Sequence, residues 1–127
     1  GVKIVQVPCL DSDKVAGGGK RRGLDLRAAL DAMSERGVRE LMVEGGPATA
    51  RGFLDAGLVD RAIIIKAPTV EFDQQPVPSH ISERTLTDAG LEELARHTLW
   101  DGDETTLWAR QGVQWPSGQG EDYASWP

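Results

Sequence analysis

The sequence predicts an α/β fold in which strands and helices alternate along the chain. Two observations support this prediction. Apolar residues recur every three or four positions in two segments, as they do on one face of a helix, and short apolar runs of strand length lie on either side of these segments. A chain of 127 residues with 39% apolar and 27% charged residues is also typical of one globular domain with a buried core.

Two helices are predicted, near 24–36 and 47–56. Asp25 and Gly37 stand where the first helix would begin and end, and glycine is a natural stop in the left-handed conformation. Pro47 is tolerated in the first turn of the second helix because its missing N–H would be unpaired there. The apolar positions of the first helix share one face: Leu26, Ala29, Leu30 and Met33.

Three strands are predicted at 2–7, 38–43 and 60–67. The first alternates apolar and polar residues, the second is short and apolar enough to be buried, and the third contains the longest apolar stretch, 62–65. Short strand–helix–strand connections favour right-handed crossovers, so we expect these strands to be parallel.

The segments outside this alternation give weaker signals. Residues 9–23 are polar, charged and rich in glycine, and residues 71–80 contain two prolines, so both are predicted to be loops. The tail 112–127 has no periodicity beyond Trp115 and is predicted to be disordered, which leaves 1–111 as the folded part.

The segment before the tail has two interpretations. Apolar spacing over 91–100 fits a helix, but Asp101-Gly102-Asp103 is a strong turn signal and 105–109 has the composition of a strand. A closing hairpin is therefore the better account. No element is predicted for 85–90.

Composition excludes several classes of function. The net charge of −6 and the pI near 4.8 disfavour a nucleic-acid partner. The sequence also contains no run of 18 apolar residues, the length that a membrane-spanning helix needs. One cysteine, Cys9, and two histidines cannot supply the zinc ligands of a nucleotide deaminase, and no metal site is expected. The basic run Lys20-Arg21-Arg22 fits a solvated loop better than a phosphate clamp.

The stretch Glu44-Gly45-Gly46-Pro47 carries the most chemical information. It joins the apolar run 38–43 to a helix, and glycines there let a ligand approach the backbone. A helix N-terminus offers unpaired N–H groups and the positive end of the dipole, which suit the phosphates of a nucleotide. Thr49 could add a hydroxyl donor. A glycine pair alone is more often a tight turn, and the spacing fits neither a Walker loop nor the dinucleotide fingerprint.

Glu44 has two interpretations. A carboxylate beside a phosphate site needs a partner. Amino or ring N–H groups of a substrate would supply one, and so would a nearby base such as Arg39 or Arg51.

The residues from Leu24 to Asp60 resemble the reductase domain of the bifunctional riboflavin-biosynthesis deaminase/reductase family. The resemblance rests on Leu24-Asp25-Leu26, on the run from Glu35 to Pro47, and on the run from Phe53 to Asp60. Ala67-Pro68 after the next strand matches as well. The resemblance covers only the C-terminal part of the family's domain. The segment from Val70 to Gln75 also lacks the glycine that the family usually has in the loop after the strand at 60–67.

The resemblance implies a dihydrofolate-reductase-like mixed sheet flanked by helices. It also implies a cytoplasmic enzyme, or a plastid one in a photosynthetic eukaryote. With NADPH as hydride donor, the family reduces 5-amino-6-(5-phosphoribosylamino)uracil to its ribitylamino form. Glu44 would contact this substrate. No side chain is identified as a catalytic acid, base or nucleophile. The segment implied to wrap NADPH consists of Gly46, Pro47, Ala48, Thr49, Ala50, Arg51 and Gly52.

Because the family's domain is nearly twice as long, this chain is expected to be a portion of it. Strand 62–65 would then be poorly covered, and we expect a second copy or the missing N-terminal half to complete the sheet edge. The alternative function is a non-catalytic nucleotide-binding, structural or regulatory domain derived from the reductase.

Overall fold

The chain has mixed α/β content with antiparallel sheets and helices, as expected for a C-terminal portion of a dihydrofolate-reductase-like domain. The computed structural model describes residues 4–12, 21–68, 81–99 and 102–115. These residues belong to two compact units, Gly1–Ala56 and Gly57–Pro127. The predicted loop 71–80 and residues 116–127 of the predicted tail lie outside the described residues.

The first unit contains a two-stranded antiparallel sheet and two helices. Strand β1 (Cys9–Ser12) pairs with β2 (Arg21–Leu24), and Cys9 lies opposite Leu24. The loop predicted over 9–23 is therefore wrong at both of its ends, while residues 13–20 lie outside the described residues. Backbone hydrogen bonds hold such a pair, so strand formation here required no apolar alternation.

Both predicted helices are confirmed, as α1 (Leu26–Ser34) and α2 (Pro47–Asp55). The Asp25 carboxylate accepts a hydrogen bond from the Ala28 N–H at 3.0 Å, which caps the first helix. Gly37 (φ 87°) and Gly57 (φ 66°) adopt the left-handed conformation just beyond the two helix ends. Local sequence signals fixed these boundaries.

Two of the three predicted strands do not form. Residues 4–8 and 38–46 belong to neither a helix nor a strand, and residues 2 and 3 lie outside the described residues. The apolar side chains of 38–43 are exposed rather than buried, and Met42 keeps 78% of its surface. A strand needs a neighbouring strand to pair with its backbone groups, and within the described residues no strand pairs with either segment.

The second unit is built on a three-stranded antiparallel sheet. Its strands are β3 (Arg61–Lys66), β4 (Leu91–Thr98) and β5 (Glu104–Arg110), in the order β3-β5-β4. The strand predicted at 60–67 is confirmed. The predicted parallel arrangement with 2–7 and 38–43 is wrong, because the described residues of those two segments form no strand and β3 pairs antiparallel with β5 instead. The closing hairpin predicted for the end of the chain is also confirmed, as β4 and β5.

A short helix, α3 (Glu83–Asp88), packs on β4 and helps to form the core of this unit. Ser82 caps it through a reciprocal capping box with Thr85. Leu86 and Leu91 are fully buried, and the central strand β5 is buried on both faces over 106–109. The indole N–H of Trp108 donates to the Thr106 hydroxyl at 2.9 Å, so neither buried polar group is left unpaired.

Five charged side chains join α3 to all three strands, and we call them the charged cluster: Lys66, Glu83, Glu93, Arg96 and Glu104. The Arg96 guanidinium contacts three carboxylates, at 2.7 Å from Glu93, 3.1 Å from Glu83 and 2.6 Å from Glu104. Lys66 lies 3.1 Å from Glu83. Hydrogen bonds from Lys66 and then Arg96 lower the pKa of Glu83, and those from Glu93 and Glu83 raise the pKa of Arg96.

Candidate functional site

The corner between residue 44 and α2 has an open helix N-terminus. Gly46 is the capping residue, with extended backbone angles (φ −60°, ψ 172°), and it has no side chain to cap the helix. Its carbonyl accepts hydrogen bonds from the N–H groups of Thr49 at 2.9 Å and Ala50 at 3.2 Å. Pro47, the next residue, has no N–H.

Two backbone donors remain at this end of the helix. Within the described residues, the N–H groups of Gly46 and Ala48 donate no hydrogen bond. The positive end of the helix dipole adds to their attraction for an anion. Thr49 is exposed in the same turn and carries a hydroxyl group. The corner thus has the donors that a phosphate oxygen requires, without a basic side chain.

The two glycines of the corner differ in their surroundings. A Cβ placed on Gly45 would lie 2.8 Å from Cβ and 2.9 Å from Cγ2 of Thr49, closer than real side chains come. A Cβ on Gly46 would meet no protein atom within 4 Å, and any residue can adopt the extended backbone angles of Gly46. Packing therefore accounts for glycine at position 45, while position 46 faces open space that a ligand could use.

Glu44 is exposed, and within the described residues it makes no ion pair or hydrogen bond. Of the two bases that were alternative partners, Arg51 binds Asp55 instead, with Nε 2.7 Å from the carboxylate. Arg39 forms no ion pair or hydrogen bond with Glu44 in the same part of the chain. The Glu44 carboxylate is thus available to a ligand, and it also lies near a helix N-terminus, where negative charge is favourable.

The predicted cofactor residues lie along the first two turns of α2. Gly46, Pro47, Ala48 and Thr49 surround the helix N-terminus. The other three lie further along the helix: Ala50, Arg51 and Gly52. The Arg51 side chain points along the helix to Asp55, and a Cβ on Gly52 would lie 3.5 Å from Leu26 of α1. The geometry thus favours the first-turn residues for ligand contact, and the assignment of all seven stays a prediction.

Two further properties of the described residues bear on the site. No group of three metal-binding side chains lies close enough together to hold a metal ion in the part of the chain that the structure describes. No helix in that part is both long and apolar enough to cross a membrane.

Comparison with known proteins identifies relatives of this sequence. The family model of the RibD C-terminal domain matches residues 3–99, which is more than half of the chain. A stretch of 49 residues is 39% identical to the riboflavin biosynthesis protein RibD of Aquifex aeolicus. This stretch makes up 39% of the present chain but only 14% of the Aquifex protein, so the chain spans a small part of that relative's length. The resemblance predicted from the sequence is confirmed.

Proposed function

Because the chain belongs to the RibD C-terminal domain family, we propose that it contributes to an NADPH-dependent reductase of riboflavin biosynthesis. The proposed reaction converts 5-amino-6-(5-phosphoribosylamino)uracil into its ribitylamino form. One observation supports a nucleotide site most directly: the N-terminus of α2 combines unpaired N–H donors with open space at Gly46. A cytoplasmic location is part of the same proposal.

The residues of the corner suit the phosphates of NADPH. The N–H groups of Gly46 and Ala48 would donate to phosphate oxygens, with the Thr49 hydroxyl as a third donor. No arginine or lysine is required, since backbone donors and the helix dipole supply the attraction. Bound NADPH would supply the hydride that reduces the ribose. The protein would contribute by holding cofactor and substrate in the geometry that hydride transfer needs.

Glu44 would act on the substrate side. Its carboxylate is an acceptor only, and a pyrimidinedione carrying amino and ring N–H groups offers the matching donors. A hydrogen bond to a charged acceptor contributes about 1.5–3 kcal/mol, which is enough to orient the pyrimidine. Since no acid or base is assigned here, Glu44 is proposed as a binding residue.

The test is a pair of variants in the full-length protein, with NADPH binding followed by fluorescence and substrate binding by calorimetry. Gly46→Val should weaken NADPH binding about 10- to 100-fold, because the added side chain would displace a phosphate from its donors. Glu44→Gln should weaken the pyrimidine substrate and spare NADPH. Glu92→Gln, at an exposed residue of β4, is the matched control and should change neither affinity.

Three results are informative. If Glu44→Gln weakens NADPH as much as Gly46→Val does and leaves the substrate untouched, the two roles are wrong. If neither variant changes any affinity, the glycine pair is only a turn. If the full-length protein binds NADPH but does not turn over the substrate, the alternative function holds, namely a non-catalytic nucleotide-binding domain.

A further inference from the structure

Two consecutive glycines precede α2, and the half of Gly46 that faces the helix is held in place. Glycine loses more conformational freedom on folding than any other residue. Pro47 restricts the residue before it to extended backbone angles, and Gly46 has such angles (φ −60°, ψ 172°). The Gly46 carbonyl also accepts hydrogen bonds from the N–H groups of Thr49 and Ala50. The helix therefore fixes the carbonyl side of Gly46.

The peptide between Gly45 and Gly46 has no such support from hydrogen bonds of its N–H group. This peptide carries the Gly46 N–H, which donates no hydrogen bond within the described residues. Its orientation is set by the ψ angle of Gly45 and the φ angle of Gly46, and neither residue has a side chain that limits these angles. The direction of this donor therefore depends on a contact from outside the glycine pair.

The Thr49 side chain supplies such a contact. A Cβ built on Gly45 would lie 2.8 Å from Cβ, 2.9 Å from Cγ2 and 3.1 Å from Oγ1 of Thr49, so the whole branched side chain lies against one side of Gly45. The backbone of Thr49 belongs to α2, and a β-branched side chain is stiff at χ1. A rigid side chain thus packs on the flexible position 45.

We propose that Thr49 is a positioning residue of the candidate site. By packing on Gly45 it holds the peptide 45–46 in the orientation in which the Gly46 N–H faces a phosphate. This inference rests on the proposed function for the identity of the ligand, NADPH. A donor that is already oriented before the ligand arrives loses less conformational freedom on binding, so the contact raises the affinity. This role is separate from that of the Thr49 hydroxyl, which would donate to a phosphate directly.

Two variants of the full-length protein separate the contact from the hydroxyl. Thr49→Val keeps both branches of the side chain and Thr49→Ala loses both, while neither can donate a hydrogen bond. We expect Thr49→Ala to bind NADPH about 3- to 10-fold more weakly than Thr49→Val, which corresponds to a loosened corner that holds the binding orientation roughly a tenth to a third of the time. Thr87, an exposed threonine of α3, is the matched control, and its valine and alanine variants should bind NADPH alike.

NMR relaxation of the Gly46 amide without NADPH tests the positioning directly. Its order parameter should be near that of rigid backbone, about 0.85, in the wild type and in Thr49→Val, and lower in Thr49→Ala. Alanine has a higher helix propensity than valine, so a loss of α2 would not explain weaker binding by the alanine variant. Thermal denaturation checks that both variants remain folded.

The outcomes distinguish this inference from the proposed function. If the wild type binds NADPH and the two Thr49 variants bind it equally, only the positioning role is overturned. A Gly46 order parameter that is the same in all three proteins also overturns that role alone. A wild type that binds no NADPH overturns the proposed function and the positioning role together.

Discussion

Replacing Gly45 by alanine should destabilise the corner before α2, whereas the neighbouring glycine should tolerate a side chain. An alanine Cβ at position 45 would lie 2.8 Å from the Thr49 Cβ, whereas carbon atoms in contact prefer about 3.5–4.0 Å. Rotation of the Thr49 side chain moves its Cγ2 but leaves its Cβ in place, so the backbone has to shift. Overpacking of this kind typically costs about 1–3 kcal/mol.

A smaller term opposes this cost. Exchanging glycine for alanine restricts the unfolded chain and stabilises the fold by about 0.4–1 kcal/mol where no clash occurs. We therefore expect Gly45→Ala to lower the free energy of unfolding by about 0.5–2 kcal/mol. Gly46→Ser has the same entropic gain without a clash and adds a capping hydroxyl, so it should be neutral or stabilising by up to about 1 kcal/mol.

Urea denaturation followed by far-UV circular dichroism measures both changes, and hydrogen exchange at α2 amides localises them. Tryptophan fluorescence is unsuitable, because all four tryptophans follow residue 99 and none belongs to the first unit. Thr49→Gly removes the clashing Cβ, so Gly45→Ala should be nearly harmless in that background. Equal destabilisation in the two backgrounds would refute the steric reasoning.

Two further predictions concern local electrostatics and capping. Glu83 has a pKa below its ordinary 4.5 in the folded chain, so its ion pairs stabilise the fold above about that pH, and this contribution is lost as the pH falls through the lowered value. We therefore expect the free energy of unfolding, measured by urea denaturation from neutral to acid pH, to fall less steeply below pH 4.5 in Glu83→Gln than in the wild type. The control Glu92→Gln should follow the wild type. Identical acid profiles for all three proteins would contradict this prediction. Asp25→Ala should lower the free energy of unfolding by about 1 kcal/mol, because the Ala28 N–H loses its acceptor, and Asp25→Ser should restore most of it, as thermal denaturation would show. A loss that serine does not restore would assign Asp25 another role.

The candidate site was identified from sequence only in part. The sequence predicts a glycine corner at a helix N-terminus, and the structure has one at Gly46. The pairing of Arg51 with Asp55 and the clash that keeps position 45 a glycine depend on side-chain positions in three dimensions. The family resemblance placed all seven residues of the segment in one group, while the structure separates its first turn from the rest.

The helices were determined by the sequence itself. A helix satisfies its own backbone hydrogen bonds, and the signals that begin and end it are adjacent residues, as Asp25 and Gly37 are for α1. The antiparallel end of the chain was also predictable, because a turn signal lies directly between its two strands. These elements need little information from distant parts of the chain.

Strand pairing was decided by tertiary structure. Residues 38–43 and β3 both contain apolar runs of strand length, yet of these two segments only β3 pairs with another strand among the described residues. That strand is β5, whose paired residues lie 38 to 48 positions further along the chain. Residues 9–12 have a weak pattern and nevertheless pair with β2. A side-chain pattern shows that a segment could fit a sheet, but a strand exists only where another backbone supplies the matching donors and acceptors. The direction and partner of each strand are therefore properties of the folded chain.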